Sequence, residues 1–562
     1  MKKIATLSIL TMTLLMATSP AIPTSSTIQR EVQPPKNLPK QTTLLVEIGG
    51  VQKYAPVMQD DKSGKTIFVK SFKITSAIHM SEAKLQSLII SYTNKDLTFK
   101  QLQEVASIIT KAYREEGYFV ARAYIPAQSM QDGIVEIAII EGNYGKFILD
   151  NKSHVKTLIV KAMLDDAKRD NIVATDTLER AMLIINDTPG AQITVADVKP
   201  GEAVGTSDFA IATEATPWYD GYILADNYGS RYTGKNRLMA GVNLNSLAGM
   251  GDKLSLTGLV SQNTDLNNVR IAYSIPLMAN GLRAEVSYSR TDYNLVELDG
   301  INDGLYYGVS EAMDATFSYP IIRTRLETLK LSSTLSTKKL TDYLSGDVYQ
   351  EKEAKSINMG LAHSKDQKLF GLNTQINLGL TLTYGDLKFV DDASKAQDAA
   401  GANTQGKYSK INGYVGMSAQ LPQKLTLQTN LQFQKALGHK NLDGSEDMSI
   451  GGNNGVKLFP DGELSAENAI LFNVELKKAL PAIRGYSHQF GVFYDVGTAS
   501  TEDGGKDATF RTRTLQDVGL GYYASYKSFF AKAQIATRIG GEDVLSEPEY
   551  KTRFLVQGGI SF

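Results

Sequence analysis

The last ten residues, Arg553-Phe554-Leu555-Val556-Gln557-Gly558-Gly559-Ile560-Ser561-Phe562, constrain the fold most. In an extended chain successive side chains point to opposite faces. Phe554, Val556, Gly558, Ile560 and Phe562 therefore share one face, and Arg553, Gln557 and Ser561 the other. An apolar face backed by a polar one, closing on an aromatic, suits the last strand of a transmembrane β-barrel: lipid outside, water inside. The same period runs from about Pro217 onward. Leu282, Ala284, Val286 and Tyr288 alternate with Arg283, Glu285, Ser287 and Ser289, and Ile376, Leu378, Leu380, Leu382 and Tyr384 with Asn377, Gly379, Thr381 and Thr383. Leu425, Leu427, Leu431 and Phe433 alternate with Thr426, Gln428, Asn430 and Gln432. A soluble sandwich alternates too. The polar inward sets, the export signal described next and the aromatic end favour a barrel. At roughly 20 residues per strand and connection, the segment holds about 16 antiparallel strands, an even number as bacterial barrels require.

The amino terminus reads as a secretory signal peptide. Met1-Lys2-Lys3 is cationic, Ile4 to Met16 is apolar, and Ser19-Pro20-Ala21 supplies small residues for cleavage after Ala21. The apolar run falls short of the roughly 20 residues a spanning helix needs. Lys+Arg (59) nearly balances Asp+Glu (60), which leaves no polyanion-binding signal and argues against a nucleic-acid partner. Cysteine is absent, and the five histidines (His79, His154, His363, His439, His488) lack metal-ligand spacing. No G-x-S-x-G, H-E-x-x-H or phosphate-cradling loop is present, so the expectation is no enzyme, no cofactor and no metal. Tyrosine (27) far exceeds tryptophan (1), a bias suited to a lipid–water boundary.

Residues 22–65 read as a proline-bearing linker with a possible plug helix near Ile28 to Val32. From Ile67 the period changes. Ile67 to Ile74 reads as a strand, Ser81 caps a helix carrying Leu85, Leu88 and Ile89, and Thr98 caps a second with Leu102, Val105, Ile108, Ile109 and Ala112, ended by Gly117. Strands Phe119 to Ile125 and Ile134 to Ile140 follow, joined by a turn at Gln131-Asp132-Gly133. The β-α-α-β-β order then repeats: strand Phe147 to Leu149, helix Val155 to Leu164, a helix from Thr175 through Ile185, and strands Ile193 to Val195 and Phe209 to Ala212. The divisions expected are 1–21 signal peptide, 22–65 linker, 66–144 and 145–216 two α+β units, and 217–562 barrel.

Several long runs carry a family resemblance. They are Ala112-Tyr113-Arg114-Glu115-Glu116-Gly117-Tyr118-Phe119-Val120-Ala121-Arg122-Ala123-Tyr124-Ile125-Pro126-Ala127-Gln128, Leu183 to Gly190, and Asp226-Asn227-Tyr228-Gly229-Ser230-Arg231-Tyr232-Thr233-Gly234. With these the chain resembles the transporters of two-partner secretion (TpsB type), the ShlB/FhaC/HecB hemolysin secretion/activation proteins. The resemblance implies two POTRA domains before the barrel. Phe493-Tyr494-Asp495-Val496-Gly497 resembles the family's F-x-D-x-G motif, with Phe493, Asp495 and Gly497 facing the lumen. In the family this aspartate meets the arginine of a V-R-G-[YF] loop folded into the bore. Here Val456-Lys457-Leu458-Phe459 stands at that position, between Gly451-Gly452 and Pro460. Lysine offers a point charge instead of a fork, and leucine replaces the conformationally free glycine, so a loosely held loop is expected. Ile483-Arg484-Gly485-Tyr486 matches the motif by letters but reads as a short periplasmic turn.

The resemblance implies an outer-membrane pore, with its POTRA domains in the periplasm. It would export a large β-helical hemolysin or adhesin without ATP, with Phe562 as barrel-assembly signal. Partners implied are the exported protein, outer-membrane lipid, periplasmic chaperones and the barrel-assembly machinery. The alternatives are a BAM-like assembly insertase, which usually carries more POTRA units, a passive porin, and, more weakly, an adhesin.

Overall fold

The computed structural model describes residues 23–32, 66–128, 132–169, 171–296, 305–502, 512–540, 542–548 and 550–562. The signal peptide expected over 1–21, most of the linker expected over 22–65 and Gln131 of the expected turn lie outside the described residues.

Sixteen strands close into one antiparallel barrel, each paired with its neighbours in chain order, from Tyr219–Asp226 to Thr552–Ser561. The last strand closes on the first in the register Gln557↔Asp226 to Ser561↔Tyr222. Phe562 extends this seam: its N–H donates to Gly221 O (3.0 Å) and its carbonyl accepts from Gly221 N (2.8 Å). Gly221 must be small here, because a Cβ would lie 2.9 Å from the Phe562 ring. The faces sort as the alternation implies. Phe554 is 59 % exposed and its neighbour Leu555 0 %; Val492 is 46 % exposed and Asp495 0 %. Strands such as Asp347–Leu369, of 23 residues, far exceed the roughly 9–11 needed to span lipid, so the wall projects beyond the bilayer. Arg484 and Gly485 have φ of 48° and 81° and form a two-residue hairpin turn at the barrel end nearest the α+β units.

Two α+β units of matching topology precede the barrel. In the first, strand Ile134–Ile140 lies between Ser71–Thr75, to which it is parallel, and Arg122–Tyr124, to which it is antiparallel. Helices Glu82–Ile89 and Phe99–Glu115 accompany this sheet. Thr98 Oγ1 accepts from Gln101 N while the Gln101 side chain accepts from Thr98 N, a reciprocal cap. Leu102, Val105, Ile109 and Tyr113 are buried with Val135 and Ile137. In the second unit Thr206–Glu214 is central, parallel to Asn143–Lys152 and antiparallel to Gln192–Pro200, with helices Thr157–Asp166 and Thr175–Asn186.

Two local expectations need correction, and one strand was not foreseen. The strand expected over Ile67 to Ile74 is two strands in different sheets. It breaks at Lys70, whose N–H, like that of Ser71, turns to Gly133 O. The partner of its first half, Lys95–Thr98, was not foreseen. The strand expected from Phe119 begins only at Arg122, because Phe119 N and Ala121 N are held in turns by Gly117 O and Tyr118 O.

Glu141, at the end of the first unit, ties its last strand back to the segment before its first helix and to its second helix. Its carboxylate accepts from Ile78 N (2.8 Å), His79 N (2.9 Å) and Tyr113 Oη (2.8 Å), and lies 2.6 Å from His79 Nδ1. Burial alone would raise the Glu141 pKa, but these partners together hold it below the ordinary carboxylate value. The second unit grips the barrel rim. Arg323 forms a fork on Asp187 (2.6 and 2.8 Å), Arg325 meets Glu179 (3.2 Å), and Arg180 donates to the carbonyls of Asn280, Pro320 and Ile321. These contacts fix the second unit against one side of the rim.

Candidate functional site

Between strands Leu425–Leu437 and Asn468–Ala479 the chain folds into the lumen instead of turning outside. Met448–Ser449 pairs with Ser465–Ala466 to form the stem, and the tip turns back through Val456 N→Ile450 O and Gly452 N→Phe459 O, each 2.8 Å. The glycines make this tip possible. A Cβ on Gly452, at φ 88°, would sit 1.6 Å from Asp461 Oδ1, and one on Gly455 2.3 Å from Ile450 O.

Lys457 projects from the tip to the wall. Its Nζ lies 2.7 Å from Asp495 Oδ2 and 4.3 Å from the centre of the Phe493 ring. The second Asp495 oxygen accepts from Asn473 Nδ2 (2.8 Å), which also donates to Gly455 O (2.9 Å). Gly497 gives the loop room, since a Cβ there would stand 3.1 Å from Ile450. The structure thus brings Val456, Lys457, Leu458 and Phe459 together with Phe493, Asp495 and Gly497. Phe562 lies apart, at the seam, and Arg484 in its exposed turn.

The expected looseness of the loop is not what the geometry shows. Leu458 takes no left-handed backbone; it is fully buried, and its N–H donates to Asp517 Oδ2 at 2.6 Å. Arg553 donates to Phe459 O (3.0 Å), and Glu463 is held by Arg513 (2.8 Å) and by Leu545 N and Ser546 N (2.9 Å each). Backbone and apolar contacts replace what the missing fork and glycine would have supplied.

The short helix expected near Ile28 to Val32 is present from Ser25 to Glu31, but its anchor was not foreseen in the sequence. Helix Ser25–Glu31 lies inside the bore, with Ile28 buried in a cluster that includes Leu224, Tyr232, Met239 and Tyr293. Ser25 N donates to Asp342 Oδ1 (2.8 Å), and Lys352 Nζ reaches both Ser26 Oγ (2.7 Å) and Asp443 Oδ2 (2.6 Å) of the inward loop. Lys352 and Asp443 are both nearly excluded from solvent. Nearby, Glu446 of the loop sits between Lys338 (2.8 Å) and Lys410 (2.9 Å). One wall lysine therefore touches both helix and loop.

A sixteen-stranded barrel with apolar residues outside, a pinned loop and helix inside and two α+β units before it has the build of an outer-membrane transporter. Residues 205–521 match the model of the haemolysin secretion/activation protein ShlB/FhaC/HecB family, and residues 67–142 that of the ShlB-type POTRA domain. The chain belongs to this family of two-partner secretion transporters, sits in the outer membrane and holds its POTRA region in the periplasm. It is 28 % identical to the heme/hemopexin transporter protein HuxB of Haemophilus influenzae (strain 86-028NP), over 74 % of this chain and 72 % of that one. It is 22 % identical to the outer membrane transporter CdiB of Dickeya dadantii, over 90 % and 91 %. The solved structure of CdiB from Escherichia coli shares the fold, with TM-score 0.72 and 18 % identity over 90 % of this chain and 93 % of that one.

Proposed function

We propose that this chain captures an unfolded secreted protein in the periplasm and passes it in extended form through the barrel. On this reading residues 66–144 and 145–216 are both POTRA domains. Capture works by strand addition, for which the edge strands Ser71–Thr75 and Asn143–Lys152 and the exposed Ile148 and Leu158 provide backbone and apolar contacts. The cargo is a large β-helical hemolysin or adhesin. Its folding outside, in place of ATP, supplies the free energy, and the chain performs no catalysis. Phe562 serves barrel assembly, together with periplasmic chaperones and the assembly machinery.

The observation that carries the reading is the double pinning of the bore contents by Lys457–Asp495 and by Lys352. Polar contacts to a wall can be exchanged for contacts to cargo or water, whereas a covalent or fully apolar plug would have to unfold. Deleting residues 67–215 is expected to abolish secretion of a co-expressed partner protein, while the barrel still reaches the membrane. Undiminished secretion would exclude capture by this region. Viability after deletion of the gene separates the transporter from an assembly insertase.

A further inference from the structure

The bore keeps a cavity of about 600 Å³ beneath the loop tip. Its lining runs from Ser487 and Ser525, at strand ends facing the periplasm, up to Lys457 and Asp495. Along the strand from Ser487 to Asp495 that is about 26 Å, at roughly 3.3 Å per residue. Many charges in the lining already have protein partners: Arg237 with Asp226 (2.9 Å), Lys457 with Asp495 (2.7 Å), Lys477 with Glu475 (3.2 Å). Lys532 donates to Asn453 Oδ1 at 2.9 Å.

The carboxamides differ. Among the described residues none bonds the side chains of Gln428, Asn454, Gln489 or Gln557, all of which line the cavity. They come from three wall strands and the loop tip. A carboxamide offers an N–H donor and a C=O acceptor, the same pair that a peptide group offers. A wall of unpaired carboxamides whose carboxylates are each paired with a cation offers an extended main chain the donors and acceptors it needs, whatever its sequence.

We infer that this periplasmic vestibule is a docking rail for extended polypeptide backbone, built from Gln428, Asn454, Gln489 and Gln557. The inference rests on the export reading and adds how the bore accepts cargo without regard to sequence. The full chain in nanodiscs, with a photo-crosslinker replacing Ser525, is incubated with a neutral peptide of Gly, Ser, Thr and Asn about 20 residues long. That length exceeds the vestibule at roughly 3.3 Å per residue. Crosslinking at position 525 is expected, and it should fall at least tenfold in the Gln428→Leu/Gln489→Leu/Gln557→Leu variant. The matching Gln→Asn variant should retain most of it. Heat-modifiable gel mobility confirms that each barrel is folded. No crosslink in the parent, equal yield in the leucine variant, or loss in both triple variants overturns the rail. Failure of partner secretion with crosslinking intact would instead overturn the export reading.

Discussion

Secretion is expected to collapse in Lys457→Asp, to fall less in Asp495→Lys, and to recover in the double exchange. Asp495 is fully buried and Lys457 nearly so, so removing either partner leaves an uncompensated charge, at about 3–5 kcal/mol. Every 1.4 kcal/mol is about tenfold in an equilibrium, so loop seating shifts by about a hundredfold or more. The asymmetry comes from Asp517, which stands directly across the strand pair from Asp495. Lys457→Asp brings three carboxylates together and removes the lysine with which Asp495 is paired. Asp495→Lys still leaves Asp517 as a partner for the new lysine. The double exchange restores opposite charges at the tip. Partner protein in the medium, measured by immunoblot, checks the series; normal secretion by both single variants would remove the pairing from the mechanism.

Lys352→Met should open the resting pore. Methionine keeps the length and apolar stem but leaves Asp443 buried without its cation and Ser26 without its donor, again about 3–5 kcal/mol. Helix and loop lose a shared anchor at once, so both should vacate the bore more often. In planar bilayers the variant is expected to show at least tenfold more time in large-conductance states than the parent. Cells carrying it should take up bulky antibiotics more readily. Unchanged conductance would mean that the Ile28 cluster and the Ser25–Asp342 hydrogen bond hold the helix without Lys352.

The barrel was legible because lipid enforces a period of two over every strand, and Phe554 against Leu555 keeps that rule to the end of the chain. The loop tip could be located by its flanking glycines, which the geometry requires at Gly452 and Gly455. The Lys352 anchor carried no such mark. Its partners lie 91 and 326 residues away, and in the run Glu351-Lys352-Glu353-Ala354-Lys355 it reads as one more charge on a polar strand. Strand Lys95–Thr98 was missed for a related reason: four residues between two helices show no period, and only pairing with Thr66–Val69 makes them a strand. Local pattern encodes which face a residue occupies. Which residue it meets across a bore depends on closure of the whole barrel.

The most direct test places a photo-crosslinker at Thr381, on the lumen side, and separately at the adjacent Leu380, which faces lipid and is 46 % exposed. During secretion of the partner protein, a chain crossing the bore should be captured from position 381 and not from position 380. Capture from 380 alone, or equally from both, would contradict passage through the barrel.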